Sequence, residues 1–183
     1  GNKTKGGFYK KVKDEKGKNV KYALNWKTME YAIAQKPKFE SISEAKKWVD
    51  SGVANSMKVA FNGQDTAGEY LREYLCNNFI YSANRIPEIC NTIVEIDNAM
   101  KWGYNHQLGP FESWDAIGVK EAVDVMKKLG KKVPAKVEEM LKKGCKTFYK
   151  VDSKGVKSYY DFKKKGYVKL EENPKIILLP GLK

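Results

Sequence analysis

Only one histidine and three cysteines occur among 183 residues, and the longest uninterrupted apolar runs, such as Ile176 to Leu179, are a few residues long. A bilayer-spanning helix needs about 20 apolar residues, so no span is expected. Cys76, Cys90 and Cys145 are widely spaced, form no Cys-x-x-Cys pair and have no histidine at metal-ligand spacing. That excludes a zinc site and fits free thiols in a reducing cytoplasm. The chain also lacks a nucleophile motif that could work with His106, which argues against a self-contained hydrolase. No glycine-rich dinucleotide fingerprint appears, so the residues are expected to hold neither catalytic groups nor a cofactor. The first residues, Gly1 to Gly7, have no initiator methionine and no apolar signal core, and they read as a cut made inside a longer chain.

Acidic residues are scarce too: 22 against 35 basic ones, a formal charge of +13. The excess lies in Lys3 to Lys21 and Lys142 to Lys169. A charge of that sign attracts nucleic acid, an anionic surface or a ligand with several phosphates. It also suits lysine-rich strands, whose charges block edge-to-edge pairing. The hydrophobic fraction of 42% is enough for a sizeable core.

Phe8-Tyr9-Lys10-Lys11-Val12, with Asp14, Lys16 and Gly17, is echoed by Phe148-Tyr149-Lys150-Val151-Asp152-Ser153-Lys154-Gly155. Tyr22, Trp26 and Tyr31 continue the first copy, and Tyr159, Tyr160, Phe162 and Tyr167 the second. Each copy reads as a β-hairpin or three-strand meander. A unit of helices plus hairpin is therefore expected to be duplicated, this chain opening at the end of the first unit.

Between the echoes the pattern turns helical after Pro37. Ser41-x-x-Glu44 matches a capping box and predicts a short helix to about Val49, ended by Gly52. From Ala67, the spacing of Tyr70, Leu71, Tyr74, Leu75, Phe79 and Ser82 predicts the central helix, bending near Asn84 before Pro87. Further helices are expected from Val94 to Trp102, Pro110 to Ile117 and Val119 to Leu129, each stopped by a glycine. Pro134 reads as the first-turn proline of a last helix carrying Val137, Met140 and Leu141 and ending at Gly144.

Taken in order, Asn84-Arg85, Asp97-Asn98-Ala99-Met100-Lys101 and Leu108-Gly109-Pro110-Phe111-Glu112, with Asp115 and Gly118, resemble the C-terminal helical region of 3-hydroxyacyl-CoA dehydrogenases. The resemblance is to the second repeat of the long bacterial forms fused to an enoyl-CoA hydratase. It implies a mainly α fold, a helical domain like the C-terminal one of 6-phosphogluconate dehydrogenase, flanked by two small β-hairpin or meander segments. Residues 1–36 would close a preceding repeat, 37–147 form the helical domain, and 148–183 the second hairpin with a linker toward a missing hydratase. In that family an NAD-dependent enzyme of fatty-acid β-oxidation takes 3-hydroxyacyl-CoA to 3-oxoacyl-CoA. NAD would belong to the full-length enzyme, and its acid–base pair to an upstream Rossmann domain. The implied partners are that domain and the first helical repeat of the same chain, with acyl-CoA as substrate of the whole enzyme. As a fragment, the chain is expected to be inactive and to pair as a homodimer through the face that the first repeat would cover.

Asn84 matches the family's Asn-Arg asparagine, whose amide can both donate to and accept from a substrate hydroxyl; its other reading is to cap or orient the bend at Pro87. Arg85 is expected to pair with Glu88 or Glu95 rather than bind phosphate. His106 reads as structural or exposed, Asp97 as favouring an early helix turn, and Glu112 and Asp115 as polar contacts between helices. Trp102, Phe111 and Trp114, with Tyr104, form an aromatic group around the Gly-Pro turn. It could serve as core, as an interface or as a cleft wall. The alternative function is a basic nucleic-acid-binding module in which the tyrosines of the hairpins stack on bases and lysines follow the backbone.

Overall fold

The computed structural model describes residues 7–171 and divides into two units, Gly1–Lys38 and Phe39–Lys183. The apolar tail from Asn173 onward, read from the sequence as a connector, lies outside the described residues.

The first unit is an antiparallel meander of β1 (Tyr9–Lys13), β2 (Asn19–Leu24) and β3 (Tyr31–Ile33), in that order. Asp14 builds the β1–β2 turn: its Oδ1 accepts from the amides of Lys16 at 3.0 Å and Lys18 at 2.8 Å. Gly17 takes the positive φ of 76° that the turn requires. Lys10 pairs with Tyr22 and Tyr22 with Ile33, Val12 with Val20, and Leu24 with Tyr31. Strand alternation therefore gives one face rich in apolar residues, while Tyr9, Lys11 and Lys21 lie on the other. Lysine ammonium groups cover the rings, Lys21 Nζ at 3.8 Å from the Tyr9 centroid and Lys10 Nζ at 4.2 Å from that of Tyr31.

The second unit has, among the described residues, α1 (Glu40–Lys47), a 3-10 turn (Val49–Ser51), α2 (Val53–Phe61), α3 (Thr66–Asn84), α4 (Ile93–Tyr104), α5 (Pro110–Ile117), α6 (Val119–Lys128) and α7 (Ala135–Lys142). A second antiparallel meander follows, β4 (Tyr149–Val151), β5 (Lys157–Asp161) and β6 (Gly166–Lys169). This meander, read from the sequence as a segment of its own, shares the helical core: Phe148 and Tyr160 are fully buried with Phe79, Phe111 and Trp114. Trp114 stacks on Phe79 at 5.0 Å between ring centroids, and Phe111 meets Phe148 edge-on at 5.0 Å. Arrangements of this kind add about 0.5–1.5 kcal/mol each beyond buried area.

The helices depart from the sequence reading at four places. The Ser41–Glu44 capping box does not form; Phe39 is the N-cap of α1 and has no capping side chain. Instead Asp65 accepts from the Ser41 amide at 3.0 Å and from its hydroxyl at 2.6 Å, while Glu44 pairs with Lys47. The helix α2 has no expectation in the sequence, where Val53, Asn55, Ser56 and Val59 weaken its helix propensity; packing against α1 and α5 holds it. The helix α4 runs through Gly103 and ends where Asn105 turns left-handed at φ 56°. Pro134 stands at the N-cap of α7 and not in its first turn.

Asp65 ties two helix starts together, since its Oδ1 also accepts from the Gly68 amide at 3.0 Å to cap α3. The Ser41 hydroxyl, then the Gly68 and Ser41 amides, hold its carboxyl down at about 2. A pKa depressed on folding contributes stability that is present above the ordinary aspartate value and lost as pH falls through the folded one. Asp65→Ala is therefore expected to lower Tm at pH 7, and its deficit against the wild type to shrink between about pH 4 and pH 2. Thermal unfolding followed by circular dichroism across that range measures it; a deficit independent of pH would contradict the assignment.

Candidate functional site

The Asp97–Lys101 and Leu108–Glu112 motifs, with Asp115, fold into a junction of α4 and α5 that holds β4. Helix α5 starts at Pro110 behind an N-cap glycine, Gly109, which has no side chain to satisfy the first amides. The missing acceptor comes from α4. Asp97, fully buried, accepts from the Phe111 amide at 2.8 Å and the Glu112 amide at 3.1 Å. Its Oδ2 also accepts from the Tyr149 hydroxyl at 2.7 Å. Asp97 thus caps the helix that follows its own, which already has the Thr92–Glu95 capping box; this corrects the reading of Asp97 as an aid to its own first turn.

Glu112 closes the same end, accepting from the Gly109 amide at 2.8 Å and pairing with Lys101 at 2.6 Å. One turn further along, Asp115 accepts from the amides of Phe148 at 2.7 Å and Tyr149 at 2.8 Å, so α5 holds the first strand of the second meander by a side chain. Burial pushes the Asp97 and Asp115 carboxyls up to about 7 each, against the backbone amides that favour their charged forms. Burial and the Asp97 charge push the Tyr149 hydroxyl upward as well. Every polar atom of this cluster faces a protein group across a short hydrogen bond. The arrangement is a clamp that joins α4, α5 and β4.

Asn84 stands elsewhere, exposed on the last turn of α3. It lines an open cleft of about 610 Å³ with Asn77 and Ile80 on one side and Lys131 to Lys136 on the other. Two of those lysines are committed: Lys131 to Glu73 at 2.5 Å, and Lys136 to the carbonyls of Ala83 and Ile86, where it closes the end of α3. The chain turns there as expected, with a cis Ile86–Pro87 bond. Arg85 pairs with Glu88 at 3.0 Å and lies 4.8 Å from the Tyr81 ring.

The aromatic group around the Gly-Pro turn is divided. Phe111 and Trp114 are core residues at 0% exposure, whereas Trp102 is 80% exposed and Tyr104 73%. His106 is exposed beside Tyr104, at 6.3 Å between ring centroids. Cys76 is buried, and burial pushes its thiol up to about 11. In the meanders, Lys10, Lys21 and Lys150 sit over the rings of Tyr31, Tyr9 and Tyr167, occupying faces that a base would need for stacking. No helix among the described residues is long and apolar enough to cross a membrane.

The family described as 3-hydroxyacyl-CoA dehydrogenase, C-terminal domain, matches residues 75–164, from within α3 to the β5–β6 turn. Over all 183 residues the chain is 39% identical to a probable 3-hydroxyacyl-CoA dehydrogenase of Bacillus subtilis (strain 168), covering 22% of that protein. It is 28% identical over 162 residues, 88% of this chain, to 20% of a putative fatty acid oxidation complex trifunctional enzyme of Rickettsia prowazekii (strain Madrid E). The Rickettsia felis (strain ATCC VR-1525 / URRWXCal2) protein of the same description is 26% identical over 173 residues, 94% of this chain and 22% of its own length. The chain thus spans about a fifth of the length of these relatives.

The clamp depends on close approach at Gly109, where an added Cβ would lie 2.4 Å from the Cα, Cβ and Cγ of Asp97. Gly109→Ala is expected to cost about 1–3 kcal/mol through overpacking. Gly103→Ala, at a helical glycine with open space around it, should be neutral or stabilise by up to about 1 kcal/mol. Urea unfolding of the two variants distinguishes them; equal stabilities would contradict the clamp.

Proposed function

We propose, from the premise that residues 75–164 belong to the 3-hydroxyacyl-CoA dehydrogenase C-terminal domain family, that the chain is the second helical repeat of an NAD-dependent enzyme of fatty-acid β-oxidation. The whole enzyme interconverts 3-hydroxyacyl-CoA and 3-oxoacyl-CoA, in a reducing cytoplasm that suits free cysteines. The observation that supports this most is the family match over the junction that Asp97 and Asp115 assemble. These carboxylates are spent on backbone amides, so the share of work assigned to the chain is architectural: it walls the acyl-CoA cleft and contacts the first helical repeat, beside an upstream Rossmann domain.

The described residues do not fit NAD. Both sheets are antiparallel meanders, whereas the dinucleotide fingerprint needs a parallel strand feeding a glycine-rich turn at a helix N-terminus. No step of hydride transfer is assigned to them. Asn84 is the residue proposed to reach substrate, because it is exposed on the cleft beside α7. Trp102 is proposed as an interface residue on account of its exposure. Phe111 and Trp114 would support the wall only from inside the core. Isothermal titration of the isolated chain with NAD should give no heat; saturable micromolar binding would refute this division of labour.

A homodimer of the isolated chain is proposed to form through the outer face of α3. Tyr70, Tyr74 and Tyr81 are 65%, 50% and 59% exposed and follow one another at spacings that keep them on one side of the helix. Sedimentation equilibrium should show dimerisation that the double substitution Tyr74→Ser, Tyr81→Ser weakens about tenfold or more. A clean monomer at high concentration would rule the dimer out.

A further inference from the structure

Lys136 stands in the first turn of α7, and its Nζ donates to the Ala83 carbonyl at 3.0 Å and to that of Ile86. None of the ion pairs among the described residues includes it. The carboxylates of the elements around it are engaged elsewhere: Glu73 with Lys131, Glu88 with Arg85, Glu138 with Lys127 and Glu139 with Lys165. Lys131 and Lys132, in the loop before α7, add charge of its own sign. The Phe162 ring lies 5.7 Å away, so the ammonium is half-buried among neutral groups. Burial pushes it below the usual lysine range.

Loss of its proton leaves this cradle intact. A lysine ammonium has three N–H donors, and the neutral amine keeps two, enough for the carbonyls of Ala83 and Ile86. The third position becomes a lone pair. A lysine taken out of water and left without a counter-ion is a nucleophile. It stands on the wall of the open cleft of about 610 Å³, where Ile80, Val133, Pro134 and Ala135 supply apolar surface and the Asn84 amide a donor. A thioester with an apolar acyl chain matches that lining: the chain takes the apolar wall, and Asn84 donates to the carbonyl oxygen as negative charge grows on it.

We propose that Lys136 is a site of N-acylation by acyl thioesters, its amine attacking the thioester carbonyl from the wall of this cleft. The nitrogen lone pair forms the new N–C bond, the C–S bond breaks, and a proton of the amine leaves with the sulfur as a free thiol. An amide replaces the thioester, and nothing is oxidised or reduced. The acylated nitrogen retains one N–H, so one of the two carbonyls loses its donor and the end of α3 loosens beside Asn84. The inference rests on the functional reading above only for the source of the thioester, an acyl-CoA.

The test incubates the 183-residue chain at about pH 8 with acetyl-CoA or with a small acetyl thioester that lacks the nucleotide, and maps the acetylated lysines by mass spectrometry. Lys136 should be labelled about tenfold or more faster than the exposed Lys128, Lys132 and Lys142, and urea should abolish the preference. Labelling should lower Tm in the wild type and leave Lys136→Arg, which keeps donors for both carbonyls, unchanged. An equal loss of Tm in the two proteins would overturn the loosening of α3. Preference with the small thioester alone supports the acylation site and counts against the cleft as a wall for acyl-CoA. Labelling of Lys136 no faster than that of the exposed lysines with either reagent overturns the inference and spares the functional reading.

Discussion

The second unit depends on one buried carboxylate. Helix α5 begins with glycine at its N-cap, and its first amides would be left without partners if Asp97 did not reach them from α4. An unsatisfied buried amide costs about 1–3 kcal/mol, so the loss would be a large fraction of a domain's net stability. The same glycine that creates the need permits the answer, because only a residue without Cβ allows Asp97 to come this close. Once α5 is placed, Phe111 and Trp114 meet Phe79 and Phe148, and the aromatic core follows. Tyr149 extends the link to the second meander, which explains why that meander is part of the core.

Local signals were legible wherever one residue acts on its own backbone. Proline at the first turn and glycine at each end gave α5 its bounds, and the spacing of Tyr70, Leu71, Tyr74 and Phe79 gave α3. Long-range partners were not legible. Ser41 and Glu44 have capping-box spacing, yet a charged acceptor 24 positions away takes the Ser41 amide and hydroxyl together, and charge-assisted hydrogen bonds are the stronger kind. Asp97 looked like an aid to its own helix because nothing local shows that Phe111, Glu112 and Tyr149 converge on it. Helix α2 is stabilised by what it packs against, and a window of its own sequence carries little of that information.

The aromatic residues around the Gly-Pro turn show how helical phase sorts neighbours in sequence. Asp97 and Trp102 share α4 but lie five positions apart, which is about 140° around the helix axis. With Asp97 fixed inward by three hydrogen bonds, Trp102 must face outward, as its exposure of 80% shows. Phe111 and Trp114 are three positions apart on α5, a spacing that puts both on one face, and both are buried. The group that looked continuous in sequence therefore serves two purposes, core and surface. The same logic separates Asn84 from the clamp: α3 turns its Phe79 and Cys76 to the core and leaves Asn84 on the cleft.

Parity explains how two copies of a meander can diverge in length and keep the same face. Asp14 follows Phe8 by six positions, and Asp152 follows Phe148 by four. A difference of two preserves the alternation of a strand, whereas a difference of one would have turned every side chain to the opposite face. The hairpin could thus lengthen without moving Phe8, Lys10 or Tyr31 from the places of Phe148, Lys150 and Tyr167. Side-chain size was less constrained: Ala23 and Leu24 stand where the second copy has Tyr159 and Tyr160. Tyr160 fills the core of the second unit completely. Leu24 and Ala23 leave that volume unfilled in the first copy, so identical apolar surroundings could not cover both meanders without gaps, which protein interiors exclude.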